Sequence, residues 1–147
     1  MARAYASTVI DAPAGEVWAR IRDFNGLADW FPEAIAASEI EDGRAGDQTG
    51  AVRSFSLRDG TRFRERLLSH SDAQRSYSYN FETTPFDVDR YHATIKVTPV
   101  TDGDRSFVEW WTTFDCDRDR IDYWEGFFAT EIFAGGLRAL AKRMRGE

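Results

Sequence analysis

The stretch Arg75–Phe81, with the sequence RSYSYNF, decides the fold. Its aromatic residues Tyr77, Tyr79 and Phe81 alternate with serine and asparagine. The same alternation recurs in two later stretches, Tyr91–Val97 (YHATIKV) and Val108–Phe114 (VEWWTTF). Such alternation is typical of antiparallel strands that bury one face. Because these inner faces carry Tyr and Trp, whose polar atoms need partners, they favour a cavity over a dry aliphatic core.

The composition limits the class of protein. A chain of 147 residues suits one domain, 1–147, with one hydrophobic core. The net charge of −6 and the pI near 5.0 argue against a nucleic-acid partner, which would need a basic face. Cys116 is the single cysteine, so no intrachain disulfide is expected. No run approaches the ~20 apolar residues of a membrane span. We therefore expect a cytoplasmic domain without membrane insertion and without a cofactor.

The remaining segments complete the predicted element order. Asp11-Ala12-Pro13 indicates the start of a short helix, and a second short helix stops at Pro32. A long C-terminal helix is predicted from Tyr123 to Met144. Four further strands are predicted at Tyr5–Ile10, Ile35–Ile40, Gly50–Leu57 and Thr61–Leu68. This order predicts an α+β fold in which a curved antiparallel seven-stranded sheet wraps around the long C-terminal helix.

Arg53 and Glu65 are the only charged residues on the predicted inner faces. They lie on a predicted hairpin, for which we expect a three-residue loop with a glycine bulge. This loop would place Phe55 opposite Glu65, with Arg53 diagonal to it. Burying either charge alone is costly, so the two should pair with each other or contact water or a ligand. They could recognise a hydroxyl, carbonyl or carboxylate, or form a structural ion pair. Glu65 could also act as a general base if burial raised its pKa.

Several motifs resemble one known family over essentially the whole chain. They are Ile10-Asp11-Ala12-Pro13, Gly50-Ala51-Val52-Arg53, Glu65-Arg66-Leu67 and Trp110. With the element order, they resemble the START/birch-pollen-allergen (SRPBCC) superfamily and its polyketide cyclase/dehydrase-like branch. The resemblance implies a helix-grip fold and a hydrophobic pocket for lipids, polyketides, steroids or plant hormones.

One branch of that superfamily, the abscisic-acid receptors, adds more specific expectations. Residues similar to Glu65 and Tyr91 line the cavity in that branch. Its gating loop looks replaced by the short Arg58-Asp59-Gly60, and its cavity lysine falls near Ala36. Recognition of an acid by that lysine is therefore not expected here.

These patterns predict binding of a small hydrophobic molecule between the sheet and the C-terminal helix. The predicted ligand-binding residues are Arg53, Phe55, Phe63, Glu65, Tyr77, Tyr79, Phe81, Tyr91, Trp110, Phe128 and Ile132. One alternative is a polyketide cyclase, aromatase or dehydratase, with Glu65 as the candidate catalytic residue. A second is a protein–protein interaction module acting through the outward-facing Phe107 and Trp111, which would also fit a homodimer. No metal site is predicted, because His70 and His92 stand alone.

Two local features leave their roles open. Pro85-Phe86, between two strands with aromatic inner faces, could form a hydrophobic rim at the mouth of the pocket or pack locally. Gly135 and Gly136 interrupt the long helix at up to ~1 kcal/mol each relative to Ala. They could leave space for a ligand or let the helix approach the sheet closely.

Overall fold

The computed structural model describes residues 1–147 and contains one antiparallel sheet of seven strands. The strands are β1 (Ala2–Ile10), β2 (Ile35–Ile40), β3 (Val52–Leu57), β4 (Arg62–Ser71), β5 (Ser76–Thr83), β6 (Asp89–Val100) and β7 (Arg105–Asp115). Their order across the sheet is β1-β7-β6-β5-β4-β3-β2. Two short helices, α1 (Ala14–Ile21) and α2 (Leu27–Trp30), follow β1 with a 3-10 turn between them. The predicted α+β helix-grip fold is therefore confirmed.

The alternation in the sequence predicts the buried face of the sheet correctly. On β5, Tyr77 and Tyr79 are buried, and Phe81 is half-buried at the end of the strand. On the next two strands, the inward residues are almost fully buried: Tyr91, Ala93, Ile95 and Val97 on β6, and Val108, Trp110, Thr112 and Phe114 on β7. The outward residues between them keep contact with solvent, as expected for a sheet with one wet face.

The long C-terminal helix is continuous, but its middle is not α-helical. It consists of α3 (Ile121–Gly126), a π-helical segment (Phe127–Ala134) and α4 (Gly135–Met144). At the end of this segment, the N–H of Gly135 donates to the carbonyl of Thr130, five residues earlier. The wider spacing places Phe133 in the core, fully buried, beside the sheet. None of the helices combines the length and the apolar character that crossing a lipid bilayer requires.

The two helix glycines have different surroundings. A Cβ added at Gly136 would lie 2.5 Å from Cζ3 of Trp110 and 3.1 Å from a ring carbon of Phe31. A Cβ added at Gly135 would come no closer than 3.7 Å to any atom. Close approach of the helix to the sheet therefore requires glycine at position 136 alone.

The β3–β4 hairpin corrects the predicted register. Phe55 pairs with Phe63, and Arg53 pairs directly with Glu65. The strands close at Leu57, whose N–H donates to the carbonyl of Thr61 at 2.8 Å. The loop therefore does have three residues, but they are Arg58–Gly60, with Gly60 at φ +91°. The predicted pairing of Phe55 with Glu65 was wrong because it placed the loop one residue later, which moves every pair by two positions.

Candidate functional site

A small cavity lies between the inner face of the sheet and the C-terminal helix. Its volume is about 60 Å³, and fourteen of its sixteen lining residues are hydrophobic. We call this space the central cavity. Its lining residues are Leu27, Phe31, Ala34, Ile35, Arg53, Phe55, Leu57, Phe63, Glu65, Tyr79, Phe81, Phe86, Tyr91, Trp110, Phe128 and Ile132. This space has room for only a few water molecules, whereas sites for drug-sized ligands usually measure about 300–1,000 Å³.

Ten of the eleven residues predicted to bind a ligand meet at the central cavity. The exception is Tyr77, which packs against Trp18 and Phe24, with ring centroids 6.2 and 5.6 Å away. Tyr77 lies near the start of β5, where α1 and the 3-10 turn after it cover the sheet. Sequence reasoning did not select five of the remaining lining residues: Leu27, Phe31, Ala34, Ile35 and Leu57. These come from α2, the loop between α2 and β2, the start of β2 and the end of β3, which carry no alternating aromatic pattern.

Arg53 and Glu65 form a buried ion pair at the cavity wall. Nε and Nη2 of Arg53 lie 2.9 and 2.7 Å from the same carboxylate oxygen, Oε1 of Glu65. Nη1 of Arg53 donates to the carbonyl of Phe24 at 2.9 Å. The guanidinium carbon also lies 3.9 Å from the ring centroid of Phe24 and 4.9 Å from that of Tyr79. The arginine is therefore held on every side by protein groups.

Burial and pairing act in opposite directions on these two groups. Burial raises the pKa of the Glu65 carboxyl above its ordinary value, although the charge and hydrogen bonds of Arg53 oppose this rise. Burial lowers the pKa of Arg53, but attraction to Glu65 outweighs it and the net shift is upward. A guanidinium stays charged in proteins, and without its anion it would be an uncompensated buried cation. The geometry therefore favours the ionised carboxylate as the partner of Arg53.

Two tyrosine hydroxyls add polar groups to an otherwise apolar wall. Nε1 of Trp110 donates to the hydroxyl of Tyr79 at 3.0 Å, which fixes both side chains. Burial raises the pKa values of Tyr79 and Tyr91 well above the ordinary value of 10.0. Both side chains therefore stay neutral and can each donate or accept a hydrogen bond.

Phe86 closes one side of the central cavity. It lies in the loop between β5 and β6 and is half-buried. Its ring centroid is 5.0 Å from that of Phe63 and 5.7 Å from that of Phe128, so it spans from β4 to the C-terminal helix. Of the two roles left open by the sequence, the structure supports a place at the pocket.

The outward aromatic residues predicted as a partner surface lie on the convex face of the sheet. Trp111 is paired with Tyr5 and Phe107 with Val9 across β1 and β7. Trp111 and Phe107 are half-buried, while Tyr5 and Val9 are about half exposed. The expected homodimer stays a prediction.

No group of three or more His, Cys, Asp or Glu side chains is placed to hold a metal ion.

The family comparison agrees with this architecture. The model of the family described as "Polyketide cyclase / dehydrase and lipid transport" matches residues 1–145. This match confirms the branch indicated by the sequence motifs. Among curated proteins, no match to the sequence is found.

Solved structures of similar proteins cover nearly the whole chain. XoxI from Bacillus cereus is 34% identical, with a TM-score of 0.86 over 97% of this chain and 95% of that one. A protein from Thermobifida fusca, solved by NMR, is 31% identical, with a TM-score of 0.86 over 97% and 93% of the two chains. Norcoclaurine synthase from Thalictrum flavum, solved with dopamine and hydroxybenzaldehyde, is 18% identical, with a TM-score of 0.79 over 99% and 87%. This last likeness shows a shared fold.

Proposed function

This chain belongs to the polyketide cyclase/dehydrase and lipid transport family, and from that premise we propose that it binds a small hydrophobic molecule in the central cavity. The observation that carries the proposal is the lining itself. Fourteen hydrophobic residues surround one buried ion pair, Arg53 and Glu65. A core that served only to stabilise the fold would need no charged residues at this position. Apolar burial would supply affinity at about 25 cal/mol per Å² before the cost of association, and the polar groups would orient the ligand.

The volume of the cavity means that binding involves a change of shape. A cavity of about 60 Å³ is smaller than even a single aromatic ring needs. Phe86 is our candidate for the side chain that moves, because it is half-buried and lies in the loop between β5 and β6. Swinging Phe86 outward would join the cavity to solvent and enlarge it without moving the sheet. The loop between β5 and β6, which carries Phe86, is therefore our proposed entrance to the central cavity.

A titration with the neutral fluorescent probe N-phenyl-1-naphthylamine tests this function. The wild type should enhance the probe's emission in a saturable way. Ile132→Trp, which fills the cavity from the helix side, should weaken the binding at least ~10-fold, since the ligand would lose most of its buried area. Phe107→Ala, which removes an aromatic ring from the convex face, is the matched control and should leave binding unchanged. Equal weakening by both variants, or no saturable signal, would refute the proposal.

An enzymatic role on the same cavity is the second candidate. The family description itself names both cyclase/dehydrase and lipid transport proteins. Tyr91 and the buried carboxylate of Glu65 lie in one cavity, which places proton-carrying groups beside any bound molecule. Native mass spectrometry after exposure to lipid and polyketide extracts separates the two roles. A stable adduct of unchanged mass supports a carrier, whereas a new product mass that disappears in Tyr91→Phe supports an enzyme.

A further inference from the structure

The hydrogen-bonding capacity of the Arg53–Glu65 pair is unevenly distributed. Arg53 donates from Nε to Oε1 of Glu65 and from Nη1 to the carbonyl of Phe24, and its Nη2 lies 2.7 Å from the same Oε1 as an ion-pair contact. Its side chain keeps only 1% of its exposure. The cation is therefore paired with Glu65 and almost completely covered by protein, whereas the Glu65 side chain keeps 6% of its exposure.

Glu65 is in the opposite position. Both contacts from Arg53 fall on Oε1, so the second oxygen, Oε2, receives no hydrogen bond from the protein. Oε2 keeps some accessible surface, and Glu65 lines the cavity. A carboxylate oxygen in this setting accepts hydrogen bonds and cannot donate one. The charged group that the cavity offers to a ligand is therefore an acceptor.

The tyrosines do not change this balance. Tyr79 already accepts from Nε1 of Trp110, and both Tyr79 and Tyr91 can either donate or accept. A ligand carboxylate placed near Glu65 would put two like charges together in an apolar, water-poor space, with no free cation to compensate. A ligand hydroxyl would instead satisfy Oε2 with a charge-assisted hydrogen bond.

Resting on the proposed function, we propose that the natural ligand is a neutral molecule that carries a hydroxyl donor on an apolar body, an alcohol or a phenol, and that free carboxylic acids are rejected. Glu65 Oε2 is the acceptor that selects it, and Arg53 is a positioning residue that turns Oε2 toward the cavity. Although the cavity wall contains an arginine, that cation does not recruit acids, because it is buried and already neutralised by Glu65.

Three naphthalenes of similar shape test this selectivity: 2-naphthol, 2-methylnaphthalene and 2-naphthoate. Their affinities are measured by NMR titration of the wild type, so the main comparison needs no variant. We expect 2-naphthol to bind about tenfold or more tightly than 2-methylnaphthalene, since a hydrogen bond to a charged group supplies that difference. The carboxylate should bind most weakly of the three. In Arg53→Met/Glu65→Leu, which removes both charges together, the preference for 2-naphthol should disappear while 2-methylnaphthalene still binds.

The other possible results of these titrations would contradict the selectivity, the role of Glu65 or the proposed function itself. Equal affinity of the three compounds, or tightest binding of 2-naphthoate, would overturn the selectivity while leaving the proposed function intact. A preference for 2-naphthol that persists in the double variant would overturn the role of Glu65. Binding of none of the three, by the wild type or by Phe86→Ala with its enlarged cavity, would overturn the proposed function and the selectivity together.

Discussion

Arg53 and Glu65 sit directly opposite each other on β3 and β4, so the register of the hairpin itself creates the buried ion pair. A slip of β4 by one residue against β3 would place Arg64 or Arg66 opposite Arg53 and turn Glu65 to the wet face, so the pair could not form. The pair therefore ties the polar chemistry of the cavity to the correct pairing of two strands.

Removing one member of this pair should destabilise the protein far more than removing both. Glu65→Leu or Arg53→Met should each lower the free energy of unfolding by about 3–5 kcal/mol, because each leaves an uncompensated buried charge. The double variant should lie close to the wild type, since two apolar side chains can replace a buried pair. Urea unfolding of the four proteins measures the cycle. Additive losses in the double variant would contradict this expectation.

The two helix glycines offer a matched test of helix packing. Gly136→Ala should lower the free energy of unfolding by about 1–3 kcal/mol, because its Cβ would overlap Trp110 at 2.5 Å. Gly135→Ala, one residue earlier, meets nothing closer than 3.7 Å and should be neutral or stabilising by about 0.5–1 kcal/mol. Thermal unfolding of both variants checks the difference. Equal effects would mean that the helix does not approach the sheet as closely as described.

An acidic residue outside the cavity should contribute to stability in a pH-dependent way. Nε of Arg22 and Nε1 of Trp18 donate to Oδ1 of Asp72 at 2.9 and 2.7 Å, and these bonds lower the pKa of Asp72 to about 2. A group whose pKa is lowered on folding stabilises the protein above its ordinary pKa of 3.8, and the benefit is lost as pH falls toward 2.

Comparison of the wild type with Asp72→Asn checks this dependence. Because Asp72 is largely exposed, we expect a modest gap in unfolding free energy at about pH 5 that closes near pH 2. The measurement is urea unfolding followed by tryptophan fluorescence at both pH values. A gap that stays constant, or that widens in acid, would show that the lowered pKa does not contribute.

Removing the Phe86 ring should ease entry into the central cavity. Phe86→Ala should bind N-phenyl-1-naphthylamine roughly 3- to 10-fold more tightly, because the closed state no longer competes with the ligand. The same variant should lose about 1–3 kcal/mol of stability, less than a fully buried phenylalanine would. Stopped-flow fluorescence should show a faster association rate. Slower association than in the wild type would place the entrance elsewhere.

The sequence predicted the parts of this fold that repeat a simple pattern. Alternating aromatic residues such as Tyr79 and Tyr91 identified the inner face, and the isolated charges Arg53 and Glu65 identified the polar point of the cavity. The hairpin register was missed because a shift of the loop by one residue keeps the same faces and changes only the partners. Such partners depend on turn geometry, which Asp59-Gly60 alone does not determine.

Other features lie beyond what residue patterns encode. The π-helical segment was missed because a helical-wheel argument assumes one constant spacing, so it did not select the buried Phe133. The small volume of the cavity depends on how Phe86 and Phe128 fill the space, and side-chain packing across distant segments leaves no local trace in the sequence.

The π-helical segment also determines where this chain tolerates a change in length. A π-helical turn arises from one extra residue that the flanking α-helix accommodates without rotating. Deletion of Thr130 should therefore restore ordinary α-helical spacing while Trp124 and Gly136 keep their faces toward the sheet. The same deletion made about three turns later, at Ala141, would rotate only the last residues of the chain. Made at Gly135, it would carry a side chain into Trp110. The segment from Phe127 to Ala134 is thus where the helix can lose a residue between Trp124 and Gly136 and still keep both of them facing the sheet.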